Sequence, residues 1–292
     1  MAGGGRVGNE GEMKINRVGV VHPGAMGVSL AAAIAESGVE VLWASSGRSQ
    51  ATRDRAERHR LTDTVTIAEL VTQCQLILSI CPPDAARSLA REVAESGFDG
   101  IYVDANAIAP ATAIEIGETI AAAGGSFVDG GVIGGPAWKP GTTWLHLSGG
   151  SAQWIAPLLN AGPLEVNVLG DQPGRASALK MVFAAQTKGS SALLLATLAA
   201  AQALDVLEPL QAQWRALSMP LADGLSSQVE AAARKAWRFA GEMEEVSATF
   251  ADAGVDGQFH AVAAKIYRDL ADLQSSQELP ALEQLLHRLI EN

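Results

Sequence analysis

The sequence predicts an α/β chain in two parts: an N-terminal Rossmann-type, doubly wound sheet, and an all-helical C-terminal domain joined to it by a long interdomain helix. Three observations carry this expectation. β-Branched runs alternate with Ala-, Glu- and Arg-bearing segments of helical periodicity up to about residue 170, the texture of βαβ units on a mostly parallel sheet. After Gly170-Asp-Gln-Pro-Gly174 the β signal fades and the chain becomes rich in Ala, Leu, Gln and Glu. The stretch from about Gly174 to Ala203 holds no proline, and it far exceeds the roughly 11–12 residues of a mean helix. A helix of that length suits a spine between domains or between subunits.

The strand-like runs are Val18–Val21, Val39–Trp43, Leu76–Ile80, Ile101–Val103, Phe127–Val128 and Trp144–Leu147, with helical patterns such as Ser29–Ser37 and Ala85–Ser96 between them. Pro209, Pro220, Gly241, Gly254, Gly257 and Pro280 divide the second half into several helices. The expected division is a tail over 1–14, a dinucleotide-binding domain over 15–172 and a helical substrate and dimerisation domain over 173–292. Met1–Gly11 is glycine-rich and polar and reads as a disordered tail, not a signal peptide. A net charge of −11 without a basic cluster argues against nucleic acid as a partner. Two cysteines, Cys74 and Cys81, within one αβ unit do not make a disulfide framework. No Cys/His spacing suits zinc, so no metal is expected. No apolar run spans a membrane, and a cytoplasmic location is expected.

Residues 17–27 are the most informative segment. Val18, Val20 and Val21 lead into a tight Gly24-Ala-Met-Gly27 turn, and an Ala-rich helical stretch follows. That strand–turn–helix order is the context a dinucleotide loop requires. Small residues admit a pyrophosphate close to the backbone, and the helix N-terminus meets its charge. The first glycine slot of the usual pattern holds His22, followed by Pro23. His22 either approaches the diphosphate or has a small structural role beside Pro23. The second strand ends Trp43-Ala-Ser45-Ser46-Gly-Arg48-Ser49 with no acid to hold a ribose 2′-hydroxyl. Hydroxyls and a guanidinium suit a 2′-phosphate, so NADPH is the expected cofactor.

These motifs resemble the superfamily of 6-phosphogluconate dehydrogenase, 3-hydroxyacid dehydrogenases and imine reductases. Gly19-x-x-His22-Pro23-Gly24-x-Met26-Gly27 is similar to its opening loop, with His-Pro in place of Gly-Leu. Asp104-Ala-Asn106-Ala-Ile-Ala-Pro110 resembles its nicotinamide-side segment, with Asn106 in a serine slot. Asp129-Gly-Gly-Val-Ile-Gly-Gly-Pro136 corresponds to its substrate loop, and Gly174-Arg-Ala-Ser-Ala-Leu-Lys180 to the start of its interdomain helix. The resemblance covers Arg17 to about Ala203 and implies a homodimer with clefts built from both chains. It divides over chemistry. Gly131 and Ile133 replace a proline and a carboxylate-holding serine of the hydroxyacid enzymes, which brings the loop closer to the imine-reductase version. Lys180 stands where hydroxyacid dehydrogenases carry their catalytic lysine, but Phe183 and Ala184 replace the asparagine one turn later.

The expected cofactor contacts are therefore His22, Pro23, Gly24, Ala25, Met26, Ser45, Ser46, Arg48, Ser49, Cys81 and Asn106. Asn106 would bond the nicotinamide ribose or a substrate atom, or is a turn residue. Ile133, Gly134, Gly135, Trp138, Phe183 and Thr187 are the expected substrate contacts. Trp138 and Trp144 wall an apolar pocket or are simple core. Lys180 is the catalytic candidate, its apolar flanks lowering its pKa by desolvation; the alternative is a lysine snorkelling at the surface. Thr187 and Lys188 share its helix face and either line the site or are structural. Arg234, Arg238, Glu242 and Glu245 recur on one face and read as a solvated, salt-bridged surface. Trp237 and Met243 read as subunit packing, and His260 and Tyr267 as core.

The favoured reaction is hydride transfer from NADPH to the C=N bond of a small, largely apolar metabolite. The alternative is an NADP-dependent 3-hydroxyacid or alcohol dehydrogenase with Lys180 as general acid/base. A non-catalytic NADP-binding sensor is the alternative of another class.

Overall fold

A computed structural model describes residues 14–219, 224–276 and 278–291. They fall into two compact units. The first comprises residues up to 81, 85–106 and 110–177; the second comprises 82–84, 107–109 and residues from 178 on. The first turn of the long helix thus belongs to the first unit, five residues beyond the boundary the sequence suggests.

In the first unit, β1 (Arg17–Val20), α1 (Ala25–Ala35), β2 (Glu40–Trp43), α2 (Gln50–Arg58), β3 (Thr62–Asp63), α3 (Ile67–Gln73), β4 (Leu76–Ser79), α4 (Pro83–Glu95), β5 (Ile101–Asp104) and α5 (Pro110–Ala122) alternate along the chain. They are followed by β6 (Ser126–Gly134), β7 (Thr143–Ser148), α6 (Ala152–Leu159) and β8 (Leu164–Val168). The eight strands form one sheet in the order β3-β2-β1-β4-β5-β6-β7-β8. All neighbours pair parallel except β6 and β7, which are antiparallel from Asp129↔Ser148 to Gly134↔Thr143. Strand order reverses at β1, so the crevice outside the carboxyl ends of β1 and β4 is the place where such sheets bind ligands. The central strands are covered on both faces and read as continuous apolar runs: Val18, Val20, Leu76, Ile77, Leu78, Ile101 and Val103 are all buried.

Two strands escaped the sequence pattern. β3 has two residues and no room for alternation, and β8 alternates with polar Glu165 and Asn167. β6 is longer than Phe127–Val128 because β7 pairs along it. The segment expected as a substrate loop is therefore mostly strand.

The second unit holds the rest of α7 (Arg175–Ala203), then α8 (Leu207–Ala216), α9 (Leu225–Ala233), α10 (Ala236–Asp252), α11 (Gln258–Arg268), a 3₁₀ turn (Ala271–Ser275) and α12 (Leu282–Glu291). Its core gathers Met181, Leu195, Leu198, Val229, Met243, Val246, Tyr267, Leu270 and Leu285. Met243, expected at a subunit contact, is wholly buried in this core. Pro220, read as a helix breaker, lies outside the described residues.

Candidate functional site

The dinucleotide loop is built on a close approach. The N–H of Gly24 donates to the carbonyl of His22 at 2.8 Å, which tightens the turn between β1 and α1. A Cβ on Gly27 would lie 2.3 Å from that same carbonyl oxygen, so only glycine lets α1 start here. Gly24 is the N-cap of α1; it has no side chain to cap the helix, and the first turn holds no acid. The leading N–H groups are left for an anion, as a pyrophosphate requires. Pro23 is buried, Gly24 and Met26 are half-buried and Ala25 is exposed.

At the end of β2 the side chains divide their work. The Ser49 hydroxyl caps α2 by accepting from the Thr52 N–H. Ser45 is buried and Ser46 exposed. Arg53 donates to the Ser45 carbonyl at 2.7 Å, and Arg55 reaches the Pro23 carbonyl at 3.4 Å. Neither arginine was singled out from the sequence, although both stand in a run of basic residues at the start of α2. Arg48 Nη1 donates to His22 Nδ1 at 2.9 Å, while its Nε is buried with no hydrogen-bond partner among the described residues. Burial lowers the His22 pKa, and the charges of Arg48 and Arg55 lower it further, so the imidazole is neutral and accepts through Nδ1. The uncapped α1 and the glycine cradle fit a nicotinamide dinucleotide.

Asn106 is more constrained than its expected ribose or substrate role implies. Its amide nitrogen donates to Ser79 Oγ at 3.1 Å and to Asp104 Oδ2 at 2.9 Å, and its oxygen accepts from the Cys81 N–H at 2.6 Å. Both donors are engaged, so the side chain ties the ends of β4 and β5 together and offers a ligand only its remaining acceptor lone pair. Asp104, wholly enclosed, is raised to about 7 by burial against the pull of its bonds from Asn106.

Asp129 does not face a substrate. Its Oδ2 accepts from the N–H groups of Gly174, Ala176 and Ser177 and from Ser148 Oγ, and its Oδ1 accepts from Ser177 Oγ at 2.5 Å. Asp129, the first residue of the motif read as a substrate loop, is a buried cap on α7. Ile133 is half-buried, and Gly134 and Gly135 are exposed at the end of β6. Gly134 has φ of 110°, and a Cβ there would meet the Thr142 carbonyl at 2.0 Å. The Ala137 N–H donates to Ser29 Oγ at 2.9 Å, tying this segment to the first turns of α1. Trp138 is 48% exposed and stacks on His59, ring centroids 4.9 Å apart. Trp144 Nε1 donates to Glu165 across the sheet. Neither tryptophan is shown walling a pocket.

In the second unit, Lys180 is half-buried on α7, and burial lowers it to about 8, with Arg238 adding to the effect. Lys188, two turns on, forms an ion pair with Glu242 and lies 4.8 Å from the centre of the Phe239 ring, which Arg238 also overlies at 5.4 Å. Burial and the charges of Lys180, Arg238 and Lys235 press the Lys188 pKa down, with Glu242 as its counter-ion. The Tyr267 hydroxyl donates to the Lys188 carbonyl at 2.7 Å. The expected solvated face is thus corrected for its acidic residues: Arg234 and Arg238 are exposed, but Glu242 is 7% exposed and paired with a buried lysine, and Glu245 accepts from the Ala109 N–H at 2.6 Å. Helical period identifies a face but not what covers it. Phe183 and Thr187 are exposed, and the Thr187 hydroxyl bonds back to the Phe183 carbonyl.

Comparisons with known proteins agree with this division. Residues 17–161 match the family described as the NAD binding domain of 6-phosphogluconate dehydrogenase, and residues 201–270 match a domain of unknown function, DUF1932. The chain is 32% identical to the solved structure of MTH1747, a conserved protein of unknown function described as structurally similar to 3-hydroxyacid dehydrogenases. That match covers 88% of this chain and 98% of the other, with a TM-score of 0.64. The chain belongs to the same family as MTH1747; its residues 17–161 form an NAD binding domain of the 6-phosphogluconate dehydrogenase type, and it shares the fold of 3-hydroxyacid dehydrogenases and imine reductases.

An uncharacterized 28.5 kDa protein of Methanothermus fervidus is 30% identical over 172 residues, 59% of this chain; the match spans 66% of that relative, just under two thirds of its length. The imine reductase of Myxococcus stipitatus, solved with NADP+ and as a variant with NAD+, shares the fold at 18% identity. Its NADP+ complex covers 94% of this chain and 99% of its own, with a TM-score of 0.56. Family and neighbours point to NAD(P)-dependent oxidoreductases, with both imine reductases and 3-hydroxyacid dehydrogenases among the solved structures of the same fold. Among the described residues, no helix is long and apolar enough to cross a membrane, and no group of three or more His, Cys, Asp or Glu is placed to hold a metal.

Proposed function

We propose that this protein is an NADP(H)-dependent oxidoreductase that interconverts a hydroxyl and a carbonyl group on a small substrate carrying an anionic group, with Lys180 as general acid/base. The observation that carries this reading is the cationic setting of Lys180: a desolvated lysine at about 8, beside Arg238, on the helix that also carries Lys188. Glu242 is engaged by Lys188, so it does not cancel the charge of Lys180 and Arg238. Such a setting attracts a carboxylate and disfavours an iminium. Two like charges about 7 Å apart repel by roughly 2 kcal/mol at an effective dielectric of about 20. This repulsion is our ground for reading carbonyl chemistry ahead of the imine reduction favoured by the sequence; the structural neighbours support the two equally.

NADPH, held by the α1 N-terminus and Arg48, would supply the hydride for the carbonyl carbon. Lys180 Nζ–H gives its proton to the oxygen, and the same nitrogen takes it back in the oxidative direction. The uncapped N-terminus of α1 holds the diphosphate, and Arg48 with Ser46 meets the 2′-phosphate in preference to a bare 2′-hydroxyl.

Imine reduction stays as the second reading because β6 ends in Gly131-Val-Ile133-Gly-Gly135, without a side chain that holds a carboxylate. A panel of 3-oxo acids, ketones and cyclic imines, followed by NADPH oxidation, separates the two. Turnover of 3-oxo acids is expected, and Lys180→Ala should lower it about 10²–10⁴-fold, the usual weight of a general acid/base. Reduction needs the protonated lysine, so its kcat/KM should fall as pH rises through about 8, and oxidation should rise through the same pH. Imine turnover that survives Lys180→Ala would replace this reading with the second one. Silence on every class with NADPH binding intact would point to a sensor. We also propose a homodimer: Val182, Phe183 and Leu193 leave apolar side chains exposed along α7, as does Leu204 just after it. A monomeric mass by light scattering at micromolar protein would reject it.

A further inference from the structure

We propose that His22 is a specificity-determining positioning residue: its Nδ1 holds the Arg48 guanidinium at the end of β2, so that preference for a 2′-phosphate depends on His22 as well as on Arg48. This rests on the NADPH reading above and extends it to a residue of the glycine turn.

The geometry links two loops that lie far apart in the sequence. His22 belongs to the turn between β1 and α1, while Arg48 follows β2, and the two side chains meet at 2.9 Å. Arginine only donates, so His22 accepts through Nδ1 and carries its proton on Nε2. The imidazole is half-buried, and its ring lies against Gly24, where an added Cβ would touch Cδ2 at 3.4 Å. Its own position is therefore set by the loop. Arg48 Nε is buried without a partner among the described residues and Nη1 is engaged by His22, which leaves Nη2 to meet a phosphate oxygen. A flexible arginine otherwise loses side-chain entropy when it binds an anion, and a guanidinium already fixed loses less. The two other arginines of this cluster reinforce the arrangement: Arg53 fixes the Ser45 carbonyl, and Arg55 reaches both Pro23 and Thr52. The burial and the neighbouring positive charges that keep His22 neutral also preserve the lone pair Arg48 needs.

The test measures binding, independently of turnover. NADPH and NADH are titrated against the full chain by intrinsic tryptophan fluorescence, with wild type, His22→Ala, Arg48→Ala, the double variant and His22→Asn. His22→Ala is expected to weaken NADPH about tenfold, the scale of one charge-assisted hydrogen bond, and NADH less than about twofold. In the Arg48→Ala background, His22→Ala should leave the NADPH/NADH ratio unchanged. His22→Asn keeps a neutral acceptor near the place of Nδ1 and should restore part of the preference; it also serves if His22→Ala does not fold. Equal losses for both nucleotides, or independent effects in the double variant, would overturn the proposal and reduce His22 to a support of the turn. If Arg48→Ala removes NADPH preference but neither His22 variant alters it, only the His22 inference fails. If wild type does not prefer NADPH at all, the cofactor reading falls and the inference with it.

Discussion

Helices α1 and α7 start in the same unit under opposite conditions. α7 begins on Asp129, whose buried carboxylate accepts three backbone N–H groups and the hydroxyls of Ser148 and Ser177. α1 begins on Gly24, with no side-chain cap and no acid in its first turn. Both ends present the same orphan N–H groups and the same positive end of a helix dipole. One is closed by the protein's own anion; the other is left open to a ligand's anion. The open end is the one at the reversal of strand order, where a ligand can reach it. The difference teaches that a helix N-terminus is informative for binding only after its intramolecular cap has been looked for.

The comparison can be broken most forcefully at Asp129. Replacing it by alanine leaves the N–H groups of Gly174 and Ser177 without their acceptor in a buried setting, and leaves Ala176 only Ser148 Oγ. At about 1–3 kcal/mol for each buried unsatisfied group, a stability loss on the order of 4 kcal/mol is expected by urea denaturation. That is a large part of a domain's usual 5–15 kcal/mol. A loss below about 1 kcal/mol would show that the cap contributes little.

The Arg48 contact comes next. Arg48→Ala should weaken NADPH by about 1.5–3 kcal/mol, the range for a hydrogen bond to a charged group, with NADH nearly unchanged and the melting temperature preserved. Equal losses for the two nucleotides would show that Arg48 does not read the phosphate.

The smallest energetic effect sharpens the comparison most. Gly24→Asp gives α1 its own carboxylate and makes it resemble α7. It should stabilise the fold by about 0.3–1 kcal/mol through the helix dipole, while repelling the diphosphate and abolishing nucleotide binding. Calorimetry and the same nucleotide titration check both halves. A variant that binds NADPH as well as wild type would show that the diphosphate does not lie at this helix end.

What the sequence conveyed well was local. The turn at His22–Gly27 and the Ser–Arg cluster after β2 are short, and each element reports its own backbone needs: Gly27 is required by contact with a residue five positions earlier. Lys180 stands out by its match to the catalytic lysine position of the resembling family and by apolar neighbours along one helix that imply desolvation, and its lowered pKa follows from that burial. Where the partner lies far along the chain, the pattern was silent or misleading. Glu242 was one polar residue in a charged helical face, and only the packing of α10 against α7 makes it the counter-ion of Lys188. Asn106 carried an expected ligand role, but Ser79, Asp104 and Cys81 take up its amide.

By itself, the sequence determined the alternation of strands and helices, the strand–glycine–helix turn and the long proline-free α7, because hydrophobic period and backbone freedom are properties of neighbouring residues. Tertiary structure alone decided that Asp129 caps α7, that His22 holds Arg48, and that Lys188 is paired while Lys180 is not matched in the same way. Those outcomes depend on which buried polar group finds a partner across the fold. A buried charge or hydrogen-bonding group is set by what surrounds it in space, and its neighbours in the chain do not carry that information.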